Sequence, residues 1–460
     1  MAVGRRMTAS GQRPSSVVPP DRGHRYFAPA LALYAAVSLS RLNEVLPFLG
    51  KLYLGKLGAV ALILAAFADL RGESIALALR STTVRCVGAI TVLALLSVPG
   101  SYWPRQSAMF FQEQWLQTLL LFFCVVAGFT NRRTAYTVIV ALTVTAAVGA
   151  LELVLGKGLS TGGRAFIGSD VSMTLDPNAT AALFVTLLPY AAFLATRPGK
   201  LRYAAMAMIP IFIAALMRTS SRGGTIALAM LGVSLVVFAP KHRRLVYGGV
   251  LVVIVVTALL VPHSGLIERF NDLSDSQDYN FTSRDGRIEI WKRGIGMMLS
   301  HPAFGVGVRA FEVANGTIAH SWLNAHNAVV QIGAELGLGG LVAFIVAVAA
   351  ALRSAYAAMR RTTLVPGRVS DPAMDFDHGL VTAAMCSLIA ALTTATFLSM
   401  AYDTMLLFAL AVPTALATVV ATVPRAAGAP AFAITSRQPG WRSARRVATP
   451  LPRPAAGPQV

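Results

Sequence analysis

Charge is what this sequence has least of. Only 13% of its 460 residues are Asp, Glu, Lys or Arg, against about 25% in soluble domains. A single soluble core of this length is excluded, because too little polar surface exists to cover it. Acids are scarcest, with 20 Asp and Glu against 40 Lys and Arg. Cysteine is nearly absent. Cys86, Cys124 and Cys386 lie in apolar stretches at unrelated spacings, which leaves them as small core residues and not a disulfide framework or thiolate metal centre. Familiar signatures of chemistry are missing too. The chain has no Walker loop and no His-Glu-x-x-His, and its outer segments carry no Asp-x-Asp pair for a metal-dependent nucleotide-sugar transferase. No cleavable signal peptide is expected, since the first apolar stretch begins near Tyr26 after a basic arm and no small-residue cleavage site follows.

Apolar residues fill the place of charge, at 55% of the chain. They gather into twelve stretches, about 26–42, 52–70, 84–101, 115–130, 134–156, 178–196, 203–219, 223–239, 245–262, 328–352, 378–400 and 402–422. About 20 apolar residues in a helix cross a bilayer. The fold class expected is therefore all-α, a polytopic transmembrane bundle of about twelve spans. The net charge of +20 suggests nucleic acid at first sight. Placing each charge removes that reading. With both termini cytoplasmic, 26 basic and six acidic residues fall on the inner side, and 14 of each on the outer. The whole excess lies inside, as the bias of Lys and Arg towards cytoplasmic loops requires. The expected location is the inner (cytoplasmic) membrane of the cell.

The domain plan follows. Residues 1–25 form a basic cytoplasmic arm, 26–262 the first nine spans, 263–327 a long outer loop, 328–422 the last three spans, and 423–460 a basic cytoplasmic tail. The composition of arm and tail is that of disordered chain meeting anionic headgroups. The 65-residue outer loop is not low-complexity. It carries Trp291, Phe304, Phe311 and Trp322, and a helix-like run from Gly286 to Ser300. Ile288, Trp291, Ile295 and Met298 share one face of that run, which either lies along the membrane surface or packs on the spans.

Outer arginines run against the orientation bias and need another cause. Arg218 and Arg222 bracket Thr219-Ser220-Ser221 with no acid in the turn. A guanidinium is a planar fork of donors suited to phosphate oxygens, and a helix N-terminus at Gly223-Gly224 adds partial positive charge. The alternative is headgroup binding or pairing with an acid on another loop. Arg284 and Arg287 stand in Ser283-Arg284-Asp285-Gly286-Arg287; Arg284 has Asp285 or Asp278 within reach as a partner, and Arg287 suits a ligand better. Arg309 follows Gly305-Val306-Gly307-Val308. His326-Asn327 sits at the mouth of the tenth span, near Asn324 and His320, and His326 could act as a general base or as an anchor. Glu335 lies about two turns further in, where an acid is costly and points to function or to a capped polar core. Asp272, Asp275 and Asp278 read as a solvated acidic turn or a cation site.

In order and spacing these pieces resemble the O-antigen ligase / O-antigen polymerase superfamily of bacterial membrane glycosyltransferases. Asp176-Pro177-Asn178 looks like its segment opening a span, and Ser221-Arg222-Gly223 like its arginine turn. Arg287-x-x-x-Trp291 with His301-Pro302-x-x-Gly305-Val306-Gly307 resembles its loop helix and glycine turn. Asn324-Ala325-His326-Asn327 with Glu335-Leu336-Gly337-Leu338-Gly339-Gly340 is similar to its most recognisable motif. The resemblance covers residues 160–345. It implies a metal-independent enzyme without cofactor, built like the GT-C transferases. The donor would be a glycan on undecaprenyl diphosphate, and the acceptor lipid A-core or another glycan. His326, Arg287 and Arg222 would be catalytic. Arg218, Arg309, Asn327, Arg284, Asn178 and Trp291 would contact substrate. The single long loop favours a ligase over a polymerase. A transporter of lipid-linked glycan needs outer arginines too, but it should carry midspan charges and an internal repeat, and neither is evident.

Overall fold

The computed structural model describes residues 24–40, 52–129, 131–161, 164–167, 176–238, 244–260, 283, 285–362 and 372–422. Arg41, Glu44, Asp272, Asp275, Asp278, Arg284 and almost all of the arm and tail lie outside the described residues.

Every apolar stretch read from the sequence falls on a helix. In chain order these are α1 (Phe27–Ser40), α2 (Leu54–Asp69), α3 (Gly72–Arg80), α4 (Thr82–Ser97), α5 (Pro104–Gly128), α6 (Arg132–Val154), α7 (Pro177–Ala195), α8 (Leu201–Arg218), α9 (Arg222–Phe238) and α10 (Arg244–Leu260). After them come α11 (Arg287–Ser300), α12 (Phe311–Ala319), α13 (Ala328–Thr362), α14 (Pro372–Ala395) and α15 (Thr404–Thr422). A two-stranded antiparallel hairpin, β1 (Leu159–Thr161) and β2 (Arg164–Phe166), interrupts the helices, with Thr161 opposite Arg164. Among the described residues six helices are long and apolar enough to cross a membrane, or seven if α3 and α4, bent by 75°, form one span. The chain is a polytopic helical membrane protein.

α7 and α14 are the most enclosed of the long helices and pack on each other. α7 is apolar all round and buried from Thr180 to Leu194, the mark of a helix with neighbours on every side. Ser387 of α14 donates to the Thr186 carbonyl of α7 at 2.8 Å, a polar tie of the kind membrane helices use. α8 and α9 flank α7, while α13 packs on α4, α14 and α15.

The two ends of the bundle differ. One gathers the starts of α1, α6 and α14 with the ends of α2 and α7. There Arg132 grips Asp377 through two hydrogen bonds of 2.7 and 2.6 Å, Arg197 meets Asp375 at 3.3 Å, and Asp69 accepts the N–H groups of Tyr26 and Phe27. The other end carries the hairpin, the α8–α9 turn, α11, α12 and the α14–α15 turn. On α11 the four residues expected to share a face are divided. Ile290, Gly294 and Met297 are the buried ones, and Gly294 lies flush against Val330 and Phe311. Ile288 and Trp291 face a cavity, Met298 meets Gly333, and Ile295 stays exposed.

Candidate active site

The α8–α9 turn is held from three sides. Ser221 caps α9 by accepting the Gly224 N–H at 3.1 Å, and its hydroxyl donates to Asn178 Oδ1 at 2.8 Å. Asn178, in the first turn of α7 two residues after the capping Asp176, donates its amide to both oxygens of that carboxylate. Arg164, on β2, completes the knot. Its Nη2 donates to Asn178 Oδ1 at 2.8 Å, its Nε to the Thr219 carbonyl at 3.1 Å, and it stands 4.0 Å from Asp176. Three separate stretches of sequence thus fix the backbone that presents Arg222.

Arg287 begins α11, across from that turn. Between them lies a cavity of about 390 Å³, lined by Arg164, Arg222, Arg287, Trp291 and Phe397 among others. Its described lining holds three arginines and no acid. Arg222 also sits at the N-terminus of α9, where backbone N–H groups add partial positive charge. The arrangement suits a diffuse anion whose oxygens accept from several guanidinium groups at once. Trp291 braces the wall by donating Nε1–H to the Ala325 carbonyl at 2.9 Å.

His326 follows directly on that carbonyl, in a left-handed backbone conformation (φ 48°). Its N–H donates to Ser399 Oγ at 2.9 Å, tying it to the α14–α15 turn. Burial and the Arg287 charge lower its pKa, and the Asp176 charge only partly opposes them. The imidazole is therefore neutral at pH 7 and able to accept a proton.

Among the described residues, the sequence candidates Arg218, Arg309, Asn327, Asn324 and His320 lie apart from the cavity lining. Arg218 is exposed and turned towards Gly156. Arg309 is left-handed (φ 60°) and gives its N–H to Glu335. Asn327 caps α13 by accepting from Val329 and Val330, and its amide donates to Thr396. Asn324 donates to Glu312, and His320 ends α12 exposed. Arg164 is the cavity-lining arginine that sequence reasoning passed over, and Ser221, quoted in the arginine turn, was given no role of its own. Arg164 carried the signal that exposed Arg218 and Arg222, an arginine in a loop expected on the outer side.

Residues 206–345 match the family model of the O-antigen ligases. This part of the chain is similar to the O-antigen ligases. The matched segment runs from α8 into α13 and contains Arg222, Arg287, Trp291 and His326, while Arg164 and Asn178 join the site from outside it. The match supports the superfamily read from the motifs, and that family implies a membrane glycosyltransferase class with a lipid-linked glycan and an acceptor as partners in general. No curated protein matches the chain.

Proposed function

We propose that this protein moves a glycan from undecaprenyl diphosphate to an acceptor hydroxyl, on lipid A-core or a similar glycan, at the periplasmic face of the bacterial inner membrane. The observation that carries this is the convergence of Arg164, Arg222 and Arg287 on one cavity, near a histidine whose pKa is lowered by burial and the Arg287 charge.

The chemistry follows from the charges. The glycosidic bond to diphosphate breaks with its electron pair going to a phosphate oxygen. Arg222 and Arg287 stabilise the negative charge that develops there, with Arg164 behind them. His326 takes the proton of the acceptor hydroxyl, whose oxygen attacks the anomeric carbon from the opposite side, so configuration inverts. Fixed guanidinium groups supply the electrostatic role that a metal plays elsewhere. Arg218 and Arg309 take no part in holding the diphosphate in this scheme.

The topology belongs to the same proposal. Twelve crossings and two cytoplasmic termini put α11 outside, with exposed Ile295 and Leu299 meeting the outer leaflet. Arg132 and Arg197 then lie at the inner end, where the positive-inside bias wants them.

The test is transfer in liposomes supplied with undecaprenyl-diphosphate glycan and lipid A-core, in EDTA. Wild type transfers, and Arg222→Ala or Arg287→Ala each lose about 10²–10³ in turnover. His326→Ala also loses transfer. Lengthening of the donor without lipid A-core would reassign the enzyme as a polymerase. Neither product from wild type would sink the transferase reading.

A further inference from the structure

The segment Glu335-Leu336-Gly337-Leu338 has no part in that chemistry, yet it is the most irregular stretch of α13. The helix breaks at Gly337, whose φ of 68° and ψ of −164° suit glycine alone. A break inside a membrane bundle leaves backbone groups that water cannot satisfy. The turn 302–310, which joins α11 to α12, satisfies them. The Pro302 carbonyl accepts from Leu338 at 2.9 Å, Val306 donates to the Ala334 carbonyl at 2.9 Å, and Gly307 donates to the Glu335 carbonyl at 3.1 Å. A Cβ on Gly337 would strike the Pro302 carbonyl.

The Glu335 side chain, only 1% exposed, turns back onto the same turn. One carboxylate oxygen accepts the Arg309 N–H at 2.9 Å and the other the Phe311 N–H at 3.4 Å. On its far side the turn is bound to the α4–α5 connection. Tyr102 donates to the Val306 carbonyl at 3.0 Å, and Val308 donates to Ser97 Oγ at 3.1 Å. Above the break, α11 and the start of α13 share a small core of their own, including Ile290, Met297, Val306, Phe311 and Ala334. The outer cap thus has its own packing and is registered to the bundle through the turn.

We propose that Glu335 is a positioning residue. By holding the turn 302–310 in the break of α13, it fixes α11, and so Arg287 and Trp291, over the arginine cavity. The consequence for turnover rests on the transferase reading; the consequence for structure does not.

Hydrogen-exchange mass spectrometry on the full chain in liposomes tests this, with Glu335→Ala, Glu335→Gln and Gly337→Ala run beside the transfer assay. The amide of Gln would present a donor to one of two backbone donors, and Ala at 337 attacks the same joint from the other strand. The expected result is faster exchange in 302–312 and also in 285–291, with 132–218 unchanged, and turnover lowered about 100-fold. Loosening of 302–312 alone would overturn the proposal, as would no loosening at all. Loosening throughout, 132–218 included, would make Glu335 a folding determinant and overturn it too. A wild type without transfer would sink the transferase reading while the exchange data still decide the position of α11.

Discussion

His326 and its two charged neighbours show how much one residue depends on its setting. A left-handed backbone costs a non-glycine residue about 1–2 kcal/mol, and here it is held by the Ser399 hydrogen bond. As the proposed base, His326 must be neutral, so activity falls at acid pH as the imidazole protonates. Because its pKa is lowered, that fall comes below the ordinary histidine value. Arg287→Gln removes a cation, raises the pKa and moves the acid limb of the residual kcat/KM to higher pH. Asp176→Asn removes the opposing anion and moves it lower. A pH profile in which neither variant shifts the limb would remove His326 from the base role. The sequence pointed to His326 by its place at a span mouth; its neighbours Arg287 and Asp176 are 39 and 150 residues away and could not be read.

Helices were the most legible level, because long apolar runs admit little else in a membrane. What they touch was less so. Gly223-Gly224 read as a helix N-terminus, and the structure adds what that start of α9 touches: a Cβ on Gly224 would lie 2.6 Å from Ala181 Cβ on α7. Gly224→Ala therefore forces α9 away from α7. It should lower stability by about 1–3 kcal/mol, seen as a fall in Tm in detergent. Gly296 on α11 meets nothing within 4 Å, so Gly296→Ala should leave Tm unchanged or raise it, since alanine favours a helix by about 1 kcal/mol. Equal losses from both would mean that α9 does not pack on α7 this closely. On α11 the apolar spacing picked out Ile288, Trp291, Ile295 and Met298, whereas Gly294 decided which face docks by letting Val330 and Phe311 come close.

At the scale of the whole molecule, the charges and the packing agree on two different ends. The arginines read as cytoplasmic, Arg132 and Arg197, meet Asp377 and Asp375 at one end, and Arg164, Arg222 and Arg287 gather at the other. Single cysteines at exposed Lys157 and Lys200 should consequently react from opposite sides. An impermeant maleimide added to intact spheroplasts should label Lys157→Cys at once and Lys200→Cys only after permeabilisation. Labelling of both from outside would refute the proposed topology.

Composition and apolar run length by themselves determined a helical membrane protein and its helix positions, because a bilayer leaves so few ways to satisfy a backbone. Motif order pointed to Arg222, Arg287 and His326. Only the tertiary structure decided that Arg164 joins them, that Asn178 and Asn327 hold the framework, and that α13 breaks at Gly337 to receive the turn 302–310. Those outcomes rest on contacts between residues far apart in the chain, and local sequence carries no record of which distant backbone will lie alongside.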